Sequence, residues 1–409
     1  SYKTLSELLH PLKIIFIFLL FFANSLSFSQ FNDIKLLQKK LIIDEITGSN
    51  VALVYKEGSV VYFNIQNSGK IGDKNISNQS YKPYKETIFP IWSMSKPISI
   101  VATMILLERG LIKLTDNISK YIPAMKNMNC ETENGIQPCE NQIKIIDLLT
   151  HRSGLGYYSD PGYGYGYTNS IKYDNLEEFT NDLSEVVLKF EPGLKYFYGI
   201  NQAVLGRVIE VVSNQTFFEF LKKELFDPLE MNETKFYLTK QERDRFQPLF
   251  INTGALKGFT YELNELSYKK NNEAYFGGEG LVSTLGDYSN FCKMLLNGGS
   301  YNGKKIISQN SINLMTKKYS QSYPNEEFAD TRKLGFYYGF SLFVLENPEI
   351  DNTNSTKGIY GWSGYHNTHF WIDPEKQLFA IFLSRSRQGV SNIDTQKEFR
   401  RAVYKTIIN

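Results

Sequence analysis

Ser93 and Lys96, three residues apart, are the first pair in this sequence whose types and spacing suit catalysis. In a helix that spacing puts both on one face, with Cβ atoms roughly 5–6 Å apart. A serine hydroxyl is a weak nucleophile until a base takes its proton, and a lysine in an apolar surround can lose its charge and act as one. The following residues supply such a surround. From Pro97 to Leu107 only Ser99 and Thr103 are polar, which predicts a helix apolar nearly all round and therefore buried. Pro97 is tolerated in a first helical turn, and Gly110 stands where a helix stop is expected. An ordinary capped helix start fits the same four residues equally well. A second copy, Ser267 and Lys270, lies in the polar run SYKKNNE with no burial to neutralise its lysine, and reads as a chance match.

The remaining reactive side chains are few. The four histidines are His10, His151, His366 and His369, and no histidine or cysteine cluster has metal-ligand spacing. Alternation places His366 and His369 on a strand. Cys130 and Cys139 flank the polar loop ETENGIQP, and an oxidising compartment would let them pair; two unpaired thiols are the alternative. Cys292, inside FCKMLL, reads as a buried helical residue. Export is suggested by Lys13 and the apolar run 14–23, followed by small residues in NSLSFSQ. The run fits a secretory signal cleaved after Ser29 and falls short of the ~20 residues that span a bilayer; an uncleaved anchor is the alternative. Membrane contact is expected only if that segment is retained.

The elements that must hold the pair follow from the rest of the chain. With 409 residues, 42% of them hydrophobic and 14% aromatic, the chain is long enough for one large unit or two lobes around a real core. A net charge of +2 predicts neither nucleic-acid nor anionic-membrane binding. Residues 32–47 suit an amphipathic helix, and VALVYKEGSVVYFN (51–64) suits a hairpin around Glu57-Gly58. Residues 156–168 form a Gly/Tyr loop, either a functional wall or plain surface. From 113 to about 270 the pattern is mainly helical. Strand signals return at 335–346, 359–373 and 376–386, and a closing helix spans 395–408. Strands at both ends with a helical middle predict an α+β fold: one antiparallel sheet whose terminal strands meet, helices on its faces, and the helical block as a second lobe.

The order of motifs resembles the serine β-lactamase and penicillin-binding-protein superfamily, in the branch holding class C β-lactamases, D,D-peptidases and their esterase relatives. The Ser-x-x-Lys signature is an established mark of that superfamily. The likeness runs from about Asp33 to the C-terminus through SMSKP (93–97), DLLTHRSGL (147–155), PGLKYFYG (192–199), LFDPLEM (225–231), GGEGLVSTLGDYSNF (277–291) and GWSGYHNTHFWIDP (361–374). It implies a β-lactamase/transpeptidase-like fold, with a signal peptide at 1–29 and a hydrolase domain at 30–409. A sheet lobe would comprise about 30–92 and 277–409, and a helical lobe about 93–276.

Carried onto these positions, the resemblance implies Ser93 as the acylated nucleophile, Lys96 as its partner and Tyr198 as the tyrosine that opens a Tyr-x-Asn element. Taken alone, Tyr198 reads as a core aromatic. The third position of that element is Ile200, with Asn201 one step on, so substrate contact by Asn201 is a weak expectation. The Lys-Thr-Gly of β-lactamases is replaced by Trp362-Ser363-Gly364, residues expected to touch substrate as in esterase-type relatives. Backbone N–H groups of Ser93 and Tyr365 would form the oxyanion hole. The glycines of HRSGL and GGEGL read as tight turns and close backbone approach.

The implied function is an exported serine hydrolase, periplasmic or secreted, acting through an acyl-enzyme with no cofactor and no metal. An ester is the expected substrate, ahead of an amide or lactam, because the cation that grips a carboxylate is missing at Trp362. A β-lactamase or D,D-peptidase with the same mechanism is the alternative. A catalytically silent binding protein is the remote one.

Overall fold

The structure, a computed structural model, describes residues 31–68, 86–157, 172–255, 257–260, 271–321, 334–387 and 393–407. The proposed signal segment 1–29, most of the Gly/Tyr loop and the second Ser-x-x-Lys copy lie outside the described residues. The elements that position the site are labelled α1 (Asn32–Ile43), β1 (Ser49–Lys56), β2 (Ser59–Asn67), α2 (Ser95–Glu108), α3 (Asn201–Ser213), α4 (Leu285–Leu296), β3 (Ser320–Gln321), β4 (Phe336–Tyr338), β5 (Phe343–Leu345), β6 (Tyr360–Gly364), β7 (Thr368–Asp373), β8 (Leu378–Ser384) and α5 (Thr395–Ile407).

The strands join in one eight-stranded antiparallel sheet of order β3-β4-β5-β6-β7-β8-β1-β2. The N-terminal hairpin thus closes onto the last long strand, with Ala52 opposite Phe382. The hairpin forms because SNVALVYK and SVVYFNIQN are rich in β-branched and aromatic residues. Its two turn residues, Glu57 and Gly58, both take positive φ (49° and 91°), as a two-residue turn of matching twist requires.

Neighbouring residues of β7 show why helices cover both faces. Side chains alternate across a strand. Trp371 packs on Phe399 and Tyr404 of α5 and donates its indole N–H to the Tyr404 hydroxyl at 3.1 Å. Phe370, next to it, packs on Tyr288 of α4. Tyr288 in turn donates to the Met94 carbonyl at 2.9 Å, which ties the entrance of α2 to the same face. Trp362 lies opposite Phe370 in the register, so it shares that face.

Two local differences from the sequence reading have physical causes. The 113–270 stretch is not purely helical: Asn129–Thr132 and Gly135–Pro138 form a hairpin, and Leu249–Asn252 pairs with Lys257–Thr260 and with Ser386–Arg387. These strands are two to four residues long, too short to leave a clear alternation. His366 is not on a strand. It stands with Asn367 in the β6–β7 turn, at φ 67° and 66°, because the reversal of chain direction needs left-handed residues there. His369 is on β7 and is buried.

Cys130 and Cys139 are joined as a disulfide with Cα atoms 5.1 Å apart, and Cys292 is a free, buried cysteine of α4. Among the described residues no helix is long and apolar enough to cross a membrane.

Candidate active site

Ser93 sits in the 3₁₀ turn Trp92–Met94 that leads into α2. The turn begins on a left-handed residue, Trp92 at φ 46°, a conformation that costs a bulky L-residue roughly 1–2 kcal/mol. The surroundings hold it there. Ile91 N–H donates to the Leu281 carbonyl at 3.1 Å, and Met94 N–H returns to Ile91 at 2.9 Å. The Trp92 ring meets Tyr365 and His366 edge-on. Ser93 is consequently half-buried at the surface of the turn, while Lys96, one turn on, is wholly enclosed.

Lys96 Nζ donates to Ser93 Oγ at 3.2 Å, to the Gly278 carbonyl at 3.0 Å and to the Tyr157 hydroxyl. The Tyr198 hydroxyl donates to Ser93 Oγ at 2.7 Å, and Lys96 Nζ lies 4.6 Å from the centre of the Tyr198 ring. Three distant segments therefore meet on one serine oxygen and one lysine nitrogen.

Tyr198 is placed by its neighbours in sequence. It precedes α3, and Gly199 lets the chain pass against the next segment: a Cβ there would fall 2.1 Å from the Leu155 carbonyl oxygen. Behind the tyrosine stands His151, fully buried, its ring 4.9 Å from the Tyr198 ring. His151 Nδ1 accepts from Gly199 N–H at 3.3 Å and from the Asn201 amide at 2.9 Å, so the ring proton belongs on Nε2, which donates to Ser341 Oγ at 2.5 Å. Burial, and then the Lys96 charge, hold His151 well below the usual histidine range and keep it neutral.

Asn201 departs from the sequence expectation. It has no exposed surface, and its amide is taken up on both sides, donating to His151 and accepting from Ser153 Oγ at 2.5 Å. It braces His151 and does not face a substrate. The reason is its place in the first turn of α3, where it points into the packed interior.

Strand β6 reaches the turn that carries Ser93 at Gly364, whose missing Cβ would lie 2.4 Å from the Ile91 carbonyl oxygen. That approach sets Tyr365 beside the turn that carries Ser93, with the Tyr365 and Trp92 rings 5.4 Å apart. Trp362 is 8% exposed and packed among Tyr198, Tyr338 and Phe343, and Ser363 is half-buried.

Two contributors escaped sequence reasoning. Tyr157 belonged to a loop of five tyrosines, and nothing in its composition singles out the one that reaches Lys96. The GGEGL segment reads as architecture that could line a cleft, with no chemistry assigned, and it lines Lys96. Ser99 Oγ donates to the Gly277 carbonyl at 2.6 Å, Leu281 N–H donates to Ser95 Oγ at 3.2 Å, and Glu279 lies beneath the lysine amine. The one cluster of potential metal ligands among the described residues is Cys130, Cys139 and Glu191, where the two sulfurs are bonded to each other.

Comparison with known proteins fits this geometry. Esterase EstB of Burkholderia gladioli is 28% identical over 363 residues, covering 83% of this chain and 87% of its own length. A protein of Escherichia coli (strain K12), provisionally named a D-alanyl-D-alanine carboxypeptidase, is 24% identical over 357 residues, covering 81% and 77%. The solved structure of EstCE1, a hydrolase with promiscuous acyltransferase activity, superposes with a TM-score of 0.74 at 23% identity, covering 92% of this chain and 99% of that one. The family model described as Beta-lactamase matches residues 43–405. A serine at the head of a buried helix, a lysine one turn on and a tyrosine from a second segment thus lie within the matched residues, and the chain belongs to the beta-lactamase family, within the superfamily of serine β-lactamases and penicillin-binding proteins.

Proposed function

We propose that this protein is an exported serine esterase that works through an acyl-enzyme on Ser93. The observation that carries the reading is the pair of hydrogen bonds on one half-buried oxygen, from Lys96 at 3.2 Å and Tyr198 at 2.7 Å. Once the Tyr198–Lys96 pair has given up one proton to solvent, Ser93 Oγ attacks the ester carbonyl carbon and passes its own proton to that pair. The backbone N–H groups of Ser93 and Tyr365 hold the resulting oxyanion, each such donor being worth about 2.7–4 kcal/mol in acyl transfer. The C–O bond to the alcohol then breaks, the alcohol oxygen takes the proton, and water releases the acyl group by the same steps reversed.

Preference for an ester rests on the aromatic surround of Trp362, whose described ring neighbours Tyr198, Tyr338 and Phe343 offer a carboxylate no cation. The EstB likeness agrees with it. Export rests on the apolar run 14–23 and on the Cys130–Cys139 pairing.

The Escherichia coli relative keeps a second reading in play, cleavage of a D-amino-acid peptide or a β-lactam by the same residues. Intact-mass analysis after incubation with a fluorophosphonate and, separately, a penicillin tests both. Labelling of Ser93 by the first reagent alone supports the esterase. Stable labelling by the penicillin supports the second reading. No labelling by either sinks both.

A further inference from the structure

Glu279 is a buried carboxyl that the steps above do not use. Its side chain is 1% exposed, neither oxygen has a hydrogen-bond partner among the described residues, and Oε2 lies 4.0 Å from Lys96 Nζ. A buried carboxyl without donors is costly unless a nearby charge compensates it. The Lys96 amine is the charge that acts on it. That amine has three close acceptors, Ser93 Oγ, the Tyr157 hydroxyl and the Gly278 carbonyl, which match the three N–H donors of an ammonium group. Among the described residues the other titratable groups around Lys96 are the Tyr157 and Tyr198 hydroxyls and the neutral ring of His151.

From this arrangement we infer that Glu279 is a positioning residue: its carboxylate fixes the charge on Lys96 and thereby sets the pH range over which Ser93 is activated. The inference rests on the catalytic reading of Ser93, Lys96 and Tyr198. Removing a negative charge makes every neighbouring acid give up its proton more readily, whichever of Lys96 or Tyr198 receives the serine proton. The sign of the effect is therefore fixed. Burial pushes the Glu279 carboxyl up to about 7, so its charge is present on the alkaline side, and the effect is read there.

The test is the rate at which a fluorophosphonate labels Ser93 between neutral and alkaline pH, in the unmutated protein, Glu279→Gln and Glu279→Asp. In Glu279→Gln the alkaline inflection is expected to move down by about one pH unit or more, a change of about tenfold in rate at a fixed pH on that limb. Glu279→Asp, which keeps the charge, restores most of the original profile. Superimposable profiles for the unmutated protein and Glu279→Gln overturn the inference while leaving the catalytic reading intact. Failure of the unmutated protein to label Ser93 overturns the catalytic reading and the inference with it. Should Glu279→Gln not fold, infrared titration of the unmutated protein decides. A Glu279 carboxylate band present throughout the alkaline limb supports the inference, and a carboxyl that stays protonated across that limb overturns it.

Discussion

Tyr198 meets Ser93 Oγ at 2.7 Å across 105 residues of chain. The contact depends on little besides the tyrosine hydroxyl, because the ring is fixed separately by His151 at 4.9 Å and Trp362 at 5.7 Å. Tyr198→Phe should keep that packing and lose the proton path. The expected outcome is an unchanged melting temperature with ester turnover down about 10²–10⁴-fold, the usual worth of a positioned acid–base group. Ser93→Ala should abolish acylation altogether, seen as absence of a mass shift with the fluorophosphonate.

Gly199 and Gly286 should respond to alanine in opposite directions. A Cβ on Gly199 would sit 2.1 Å from the Leu155 carbonyl, a backbone atom with no freedom to turn aside. On Gly286, within α4, it would meet nothing closer than 4.0 Å. Urea unfolding should show Gly199→Ala destabilised by about 1–3 kcal/mol, as overpacking costs, and displacement of Tyr198 should lower turnover as well. Gly286→Ala should be stabilised by up to about 0.5 kcal/mol, part of the gain of alanine over glycine in a helix, since Gly286 is the second residue of α4.

The parts of this architecture legible in the sequence were those with a period or a fixed spacing. The apolar run after Lys96 marks α2, and the β-branched runs around Glu57-Gly58 mark the first hairpin. Ser93 and Lys96 are legible because they are neighbours in the chain. Tyr198 carries no local sign of its role, and only the order of motifs pointed to it. Glu279 and Tyr157 are legible only as members of segments that could wall a cleft, since their individual importance comes from proximity to Lys96 across 183 and 61 residues and from burial, which no local window encodes. Asn201 is a weak expectation for the same reason: a polar residue beside Tyr198 looks like a substrate contact until its two amide partners are known.

His366 gives the protein an acid-side weakness. Burial, and then the Arg385 charge, hold its folded value well below the ordinary 6.5. A histidine kept neutral in the fold stabilises above its unfolded value. As pH falls below about 6.5 the unfolded chain binds a proton that the folded chain does not, and stability drops toward a slope of about 1.4 kcal/mol per pH unit. Glu279 runs the opposite way, because its folded value of about 7 exceeds the ordinary 4.5: its contribution is present in acid and lost as pH rises through 7. Comparing the unmutated protein with His366→Gln cancels the Glu279 contribution. The stability difference between the two, by urea unfolding, should shift against the unmutated protein as pH is lowered from 7.5 to about 5.5. A constant difference over that range would contradict the assignment of a neutral His366.

Substrate choice follows from what surrounds Trp362. The side chain is 8% exposed, and its neighbours Tyr198, Tyr338 and Phe343 are all aromatic. Arg385, from the end of the last long strand, does not supply a replacement cation: it is 3% exposed and donates Nη1 to the Gln247 carbonyl at 3.0 Å. Unless Arg387 supplies that cation, a carboxylate-bearing substrate thus lacks, among the described residues around Trp362, a charge-assisted hydrogen bond of about 1.5–3 kcal/mol, a handicap of roughly ten- to a hundredfold. Short-chain p-nitrophenyl esters carry no such group and should be hydrolysed, with turnover lost in Ser93→Ala. Cephalosporins should be poor substrates, with kcat/KM at least tenfold below the esters on the same preparation. Trp362→Lys, checked for folding by its melting temperature, should narrow that gap by raising the anionic substrate's kcat/KM. Efficient cephalosporin hydrolysis by the unmutated protein, on a par with its ester hydrolysis, would show that a carboxylate is gripped from elsewhere and would move the reading from esterase to β-lactamase.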